Sequence, residues 1–208
     1  IMPSRPFSPH SHTPMSFPFH RLRSALIGLL LMTNLAACDL ADWALRDTLD
    51  PEEGQLTLTG LAHEVTVRRD DLGVPVIEAK TDRDLMRAMG YVHASDRLAQ
   101  MVSFALLGQG RLAEMAGPVA LDMDIYMRSL SLRTTAEAQW AILDAEMRSY
   151  LEDYAAGVNA YIDTHRNRLP LDFKLAGYVP QWQPLDSLYV YLMLNLGLSL
   201  NLNEEVAF

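Results

Sequence analysis

An α+β chain, mainly helical with short strands toward its N-terminal side, is what these 208 residues predict, and three observations carry the prediction. Leu56 and Leu58, then Val65 and Val67, alternate with polar neighbours at period two, the spacing of a half-buried strand. Leu151, Tyr154, Ala155, Val158, Tyr161 and Ile162 recur at helical spacing and form one apolar stripe. Leu185 to Leu200 is nearly all apolar. With about 16 residues and Asp186 near its start, it falls short of the roughly 20 that a bilayer span requires and reads as a buried core helix.

Taken in order, the chain opens at Ile1 with a Pro/Ser/His/Phe-rich stretch up to Met15, which reads better than Met2 as the start of translation; residues 1–14 are then upstream sequence. His20, Arg21 and Arg23 form a basic region ahead of the apolar Ala25 to Met32, a run of secretory-signal length. Leu35-Ala36-Ala37-Cys38 looks like a bacterial lipobox, with Cys38 the lipidation site. An ordinary secretory signal beside a chance cysteine is the other reading, and both mean export. Residues 1–38 are therefore read as a leader. The expected location is the bacterial periplasm, with a lipid anchor as the only membrane attachment. Asp39 resembles an inner-membrane retention signal.

Residues 39–55 form an acidic tether ending in Asp50-Pro51-Glu52-Glu53-Gly54, and the globular region is read as 56–208. Val74-Pro75-Val76-Ile77 continues the strands after the turn Asp70-Asp71-Leu72-Gly73. Thr81, three residues before Asp84, can cap a helix whose stripe is Leu85, Ala88, Met89 and Val92. Asp96 follows Leu85 by eleven residues and falls almost on that stripe. Either it finds a partner, because a lone buried carboxylate costs several kcal/mol, or the helix bends near Ser95 and leaves it in water. Pro170, Gly177, Pro180 and Pro184 punctuate a loop carrying Trp182. The stop at Phe208, soon after an apolar helix, suggests a region that is C-terminally incomplete, or one chain of a larger protein.

Composition narrows the function. Half of the chain is hydrophobic, 21% is charged and the net charge is −9. All acidic residues follow Cys38, and 14 basic residues face 26 acidic ones from Asp39 onward, so nucleic acid is not a partner. Cys38 is the only cysteine, which excludes a disulfide framework within the chain and any multi-cysteine metal site. No GxSxG elbow, HExxH pair or phosphate-binding glycine loop is present. His93, Ser95 and Asp96 supply the residue types of a triad but crowd within four positions of a helix, where side chains two apart diverge. Glu204-Glu205 could give oxygens to a hard cation, yet one pair is too few for calcium, and a solvated helix end is the plainer reading.

Asp71-Leu-Gly73-Val74-Pro75-Val-Ile77 and Gly90-Tyr91-Val92-His93-Ala94-Ser95-Asp96-Arg97-Leu98-Ala-Gln100-Met101 together resemble the opening of the penicillin acylase family of N-terminal-nucleophile hydrolases. In order after them come Gly110-Arg111-Leu112-Ala113-Glu114, Gly117, Asp122 and Asp124, Tyr154-Ala155-Ala-Gly157-Val158-Asn159-Ala160, and Trp182-Gln-Pro184-Leu-Asp186, which are similar to that family's α-chain signatures. The resemblance covers about Leu61 to Phe208. It implies a precursor that cuts itself into an α and a β chain sharing one four-layer αββα fold, with this region the α chain. It also implies a nucleophile at the head of the β chain whose own α-amino group serves as base, so no catalytic residue is expected in this chain. The expected partners are the β chain and an N-acyl small molecule, and no organic cofactor is expected.

Counted without gaps from Trp182, Glu205 lands where penicillin acylases place an α-chain ligand of a structural calcium ion. On the same count Asn195, Leu198 and Ser199 land at acyl-pocket positions that carry methionine, arginine and phenylalanine in such an enzyme. Ser199 in place of an aromatic opens the cavity toward longer acyl chains. The lipoprotein leader also fits the acyl-homoserine-lactone acylase branch. The implied activity is hydrolysis of the linear amide of acyl-homoserine lactones or β-lactam antibiotics such as penicillins; the alternative is a noncatalytic, lipid-anchored binding lipoprotein on the same scaffold.

Overall fold

The computed structural model describes residues 54–199. Strands β1 (Thr66–Arg69) and β2 (Pro75–Glu78) pair antiparallel, with Thr66 opposite Glu78 and Arg69 opposite Pro75. Asp70 builds the turn between them: its carboxylate accepts the N–H groups of Leu72 and Val74 at 2.9 and 2.8 Å. Gly73 completes the turn at φ 78°, where a side chain would be strained. The alternation at Leu56 and Leu58 makes no strand, which corrects the sequence reading. A strand needs a ladder partner, and among the described residues none lies beside that segment; Leu56 is 59% exposed.

Helix α1 (Asp82–Gln109) starts as expected, with the Thr81 hydroxyl accepting the N–H of Asp84 at 3.1 Å. Ala88 and Val92 of its first half are buried. At Arg97 (φ −144°, ψ 23°) the helix kinks, and the second half buries Leu98, Val102, Ala105 and Leu106. Gly110, at φ 65°, closes it by donating to the carbonyls of Leu106 and Leu107. There follow α2 (Ala113–Ala116), a 3-10 turn at Pro118–Ala120, α3 (Leu121–Ser129), α4 (Leu132–Ile142) and α5 (Ala145–Thr164). Within what the sequence reads as a loop lies α6 (Leu171–Ala176), and α7 (Pro184–Leu198) ends the described part.

The main core is the seam between α1 and α5, where Ala94, Leu98 and Val102 cluster with Ala155, Val158 and Ile162, and Phe173 and Trp182 belong to the same cluster. A smaller cluster of Ala136, Tyr189 and Leu192 joins α4 to α7. α7 departs from the expected buried helix. Only Asp186, Tyr189 and Leu192 are buried, whereas Tyr191, Leu194 and Leu198 are 56%, 55% and 86% exposed. The described helices cover one side of α7 and leave the other uncovered. Among the described residues no helix is long and apolar enough to cross a membrane.

Candidate functional site

Asn195, Leu198 and Ser199 stand at spacings of three and four near the end of α7 and so share one face. The Asn195 amide donates to the carbonyl of Tyr191 at 2.8 Å, and the Ser199 hydroxyl donates to the carbonyl of Asn195 at 2.7 Å. Both polar groups are thus satisfied by their own helix, and Leu198 extends the apolar strip begun by Tyr191 and Leu194. This face is a wall of apolar and small polar groups, with chemistry suited to a hydrocarbon and not to charge.

The root of α7 is built with more polar contacts. Trp182, 3% exposed, is gripped by Asn159 of α5: the amide donates to the Trp182 carbonyl at 2.8 Å and accepts its N–H at 2.9 Å. The indole N–H donates to Ser187 at 3.2 Å. Gln183 and Asp186 form a reciprocal capping box, in which the Gln183 N–H donates to the Asp186 carboxylate at 2.7 Å. Gln109 of α1 donates to the other carboxylate oxygen at 2.7 Å. Burial pushes the Asp186 carboxyl above the usual range despite these bonds.

Beside this root opens a crevice of about 660 Å³ between α1, α4, α7 and the loop carrying Trp182. Two ion pairs and the Asp186 carboxylate supply its charged lining. Arg111 holds both oxygens of Glu114 at 2.6 and 2.7 Å, and Arg133 donates to Glu137 at 3.0 Å. Asn195, Leu198 and Ser199 do not line it.

Of the residue types of a triad, only Ser95 and Asp96 meet, at 3.4 Å, and each of the three has a closer partner elsewhere. His93 Nδ1 lies 3.0 Å from the Tyr154 hydroxyl, and the Ser95 hydroxyl donates to the Val92 carbonyl at 3.0 Å. Asp96 takes the Arg69 guanidinium on both oxygens, at 2.6 and 3.0 Å, which fastens the hairpin to α1. Both sequence readings of Asp96 therefore hold in part, since the helix bends one residue later and the carboxylate has a partner. Burial pushes the Tyr154 hydroxyl up to about 12 and lowers the His93 imidazole, with Asp96 pulling the latter back upward.

Sequence reasoning missed two buried carboxylates. Asp153, 3% exposed, receives Arg83 at 2.5 Å and Arg87 at 2.7 Å, while Arg87 also donates to the Thr59 carbonyl at 2.8 Å. Asp84 accepts the Ala62 N–H at 2.7 Å and the Thr81 hydroxyl at 2.8 Å, with His63 at 3.1 Å. The Ala62 N–H is the main cause that holds the Asp84 carboxyl below the usual range. Both clusters pin the segment ahead of β1 onto α1. Apart from Thr81, which the sequence pairs with Asp84 as a cap, their partners are 21 to 70 residues away, and no local spacing announces them. Cys38, Glu204 and Glu205 lie outside the described residues. Among the described residues no group of three or more His, Cys, Asp or Glu side chains could hold a metal ion.

The sequence model of the penicillin amidase family matches residues 64–208. The chain belongs to the penicillin amidase family. It is 48% identical over 186 residues to the acyl-homoserine lactone acylase QuiP of Pseudomonas aeruginosa, a match that covers 88% of this chain and 22% of that protein. It is 39% identical over 156 residues to the penicillin acylase 2 proenzyme of a Pseudomonas species, covering 74% of this chain and 20% of the relative. The chain thus spans about a fifth of the length of the curated relatives it matches. Among solved structures it is similar to a thermostable penicillin G acylase from Alcaligenes faecalis, at TM-score 0.58 and 27% identity over 68% of this chain and 75% of that one. The expected α+β class, mainly helical with short N-terminal strands, is borne out.

Proposed function

We propose that this chain is the α-chain portion of a self-processing amidohydrolase that cleaves the linear amide of N-acyl compounds, with acyl-homoserine lactones the favoured substrates. The observation that carries the reading is the 48% identity over 88% of the chain to an acyl-homoserine lactone acylase, against 39% and 34% to two penicillin acylases. The α-chain assignment draws on a contrast in coverage. The stretch fills 75% of the solved acylase chain but 22% of the curated acylase, so in the crystallised relative it stands as nearly a chain of its own. The uncovered side of α7 gives a β chain an apolar surface to close.

On this reading the nucleophile belongs to the β chain, and the chain's own residues supply a wall of the acyl pocket through Asn195, Leu198 and Ser199. Glu205 gives one carboxylate arm to a structural calcium ion, for which an oxygen donor is the right chemistry. Cys38 carries a lipid anchor that holds the enzyme in the bacterial periplasm. No observation favours the noncatalytic lipoprotein.

The test is expression of the complete precursor, sequencing of the new chain termini, and parallel assays of decanoyl-homoserine lactone and penicillin G. Cleavage at a junction that leads into serine, threonine or cysteine, with release of homoserine lactone, is expected. An uncleaved chain that hydrolyses neither amide sinks the proposal.

A further inference from the structure

The motifs around Asn159 and Trp182 are 23 residues apart in the chain, and the fold joins them by two hydrogen bonds. A side-chain amide presents a donor and an acceptor at the spacing of a peptide group, so Asn159 pairs with the Trp182 backbone as a neighbouring strand would. Asparagine is a poor helix former, and here it lies deep within α5. Its grip falls one residue before Gln183, the cap of α7, and the Trp182 indole is tied onward to Ser187 in the first turn of that helix. Gln109 holds Asp186 from the opposite side.

We propose that Asn159 is a positioning residue for acyl recognition: by clamping Trp182 it sets the origin and tilt of α7, and hence the place of Asn195, Leu198 and Ser199. This rests on the reading of that face as a pocket wall. Among the described residues no residue of α7 beyond Leu192 is buried, so the last two turns project from a helix whose direction is set below them, by the contacts at its root and by the packing of Tyr189 and Leu192 against Ala136. From Leu192 to Ser199 the helix rises about 10 Å, and a tilt of about 5° moves its end by about 1 Å. A misplacement of about 1 Å is enough to cost on the order of 100-fold in rate.

The experiment uses the matured two-chain enzyme. Asn159→Asp keeps the acceptor for the Trp182 N–H but sets a second oxygen against the Trp182 carbonyl; Asn159→Ala removes both bonds. Activity on decanoyl- and butanoyl-homoserine lactone is measured well below each variant's Tm. The decanoyl-to-butanoyl ratio of kcat/KM is expected to change about tenfold in Asn159→Asp, with kcat carrying more of the change than KM. A lowered Tm with a ratio within about twofold of wild type would make Asn159 merely structural and overturn the proposal. Should the Asn159 variants not mature, Gln109→Met loosens the root from its other side, and an unchanged ratio there overturns it equally. A wild type that cleaves neither amide defeats the parent reading and this inference with it. A wild type that cleaves both, with a ratio the variants leave unmoved, defeats this inference alone.

Discussion

Gly157 of α5 lies against the carbonyl of Arg87 in α1, so close that a Cβ on Gly157 would stand 1.9 Å from that oxygen. Gly90 repeats the relationship from the other helix, where a Cβ would meet the Tyr154 carbonyl oxygen at 2.1 Å. Both obstacles are backbone, which cannot rotate away as a side chain would. Gly157→Ala must therefore separate α1 from α5 and disturb the seam of Leu98, Val158 and Ile162. Overpacking of a close-packed core costs about 1–3 kcal/mol, and with backbone on both sides the upper end is expected. Urea unfolding of the matured protein checks this; a midpoint equal to wild type would falsify the packing argument.

Asp153 gives the fold an acid-sensitive joint. Burial alone would raise its carboxyl, but the hydrogen bonds from Arg83 and Arg87 outweigh burial and leave it below the usual range. A depressed carboxyl pKa contributes stability that is present above the unfolded value of about 3.9 and is lost as pH falls through the folded value. Arg87→Met removes one of the two guanidinium partners of a carboxylate that is 3% exposed, with Arg83 still in place, and is expected to cost about 1.5–3 kcal/mol at pH 7 and to move acid unfolding to higher pH. The measurement is a pH series of thermal unfolding, and an acid midpoint that does not move removes Asp153 from that role.

How far the fold was legible follows from where its signals are local. Thr81 and Asp84 announce the start of α1, and the stripe from Leu151 to Ile162 announces α5, because a cap and a buried face are both encoded within a few turns. α3 was not legible. Leu121, Met123 and Ile125 alternate like a strand because they are exposed, at 51%, 47% and 67%, and no buried face imposes a helical period. Pro170 and Gly177 read as loop punctuation but bracket α6, Pro170 ahead of its first turn and Gly177 as a left-handed cap at φ 63°. The proposed pocket positions on α7 could be counted from Trp182, whereas the hydrogen bonds of Asn159 to Trp182 join residues 23 apart and could not.

Glu205 and Glu204 offer an internal control for the calcium proposal. The two carboxylates are adjacent and alike in charge, so a general electrostatic effect would act through both. A coordinating role singles out the one at the counted position. Glu205→Gln keeps the size and one carbonyl oxygen but removes the charge, and it is expected to weaken calcium binding or slow maturation more than Glu204→Gln does. Thermal unfolding with and without a calcium chelator, together with the yield of processed chains, reads the difference. Equal and negligible effects of both changes would end the assignment.

If Ser199 stands in the acyl pocket as proposed, the acyl preference turns on the volume it leaves. At that position phenylalanine would fill the space above the Asn195 carbonyl to which the Ser199 hydroxyl is bonded, and Leu198 keeps the neighbouring surface apolar. Each methylene buried against such a wall gains about 0.8 kcal/mol, so a decanoyl group outbinds a phenylacetyl group by an amount that grows with the depth of the cavity. That energy accelerates the reaction only where it is expressed in the transition state, and the preference is expected in kcat/KM and not in KM alone. Ser199→Phe is expected to reverse the trend by about tenfold or more, equivalent to the loss of about two buried methylenes. Rates for decanoyl and phenylacetyl amides with the matured wild type and the variant decide it. If the wild type already cleaves phenylacetyl amides faster, or if Ser199→Phe leaves the ratio where it was, the end of α7 is not the pocket wall.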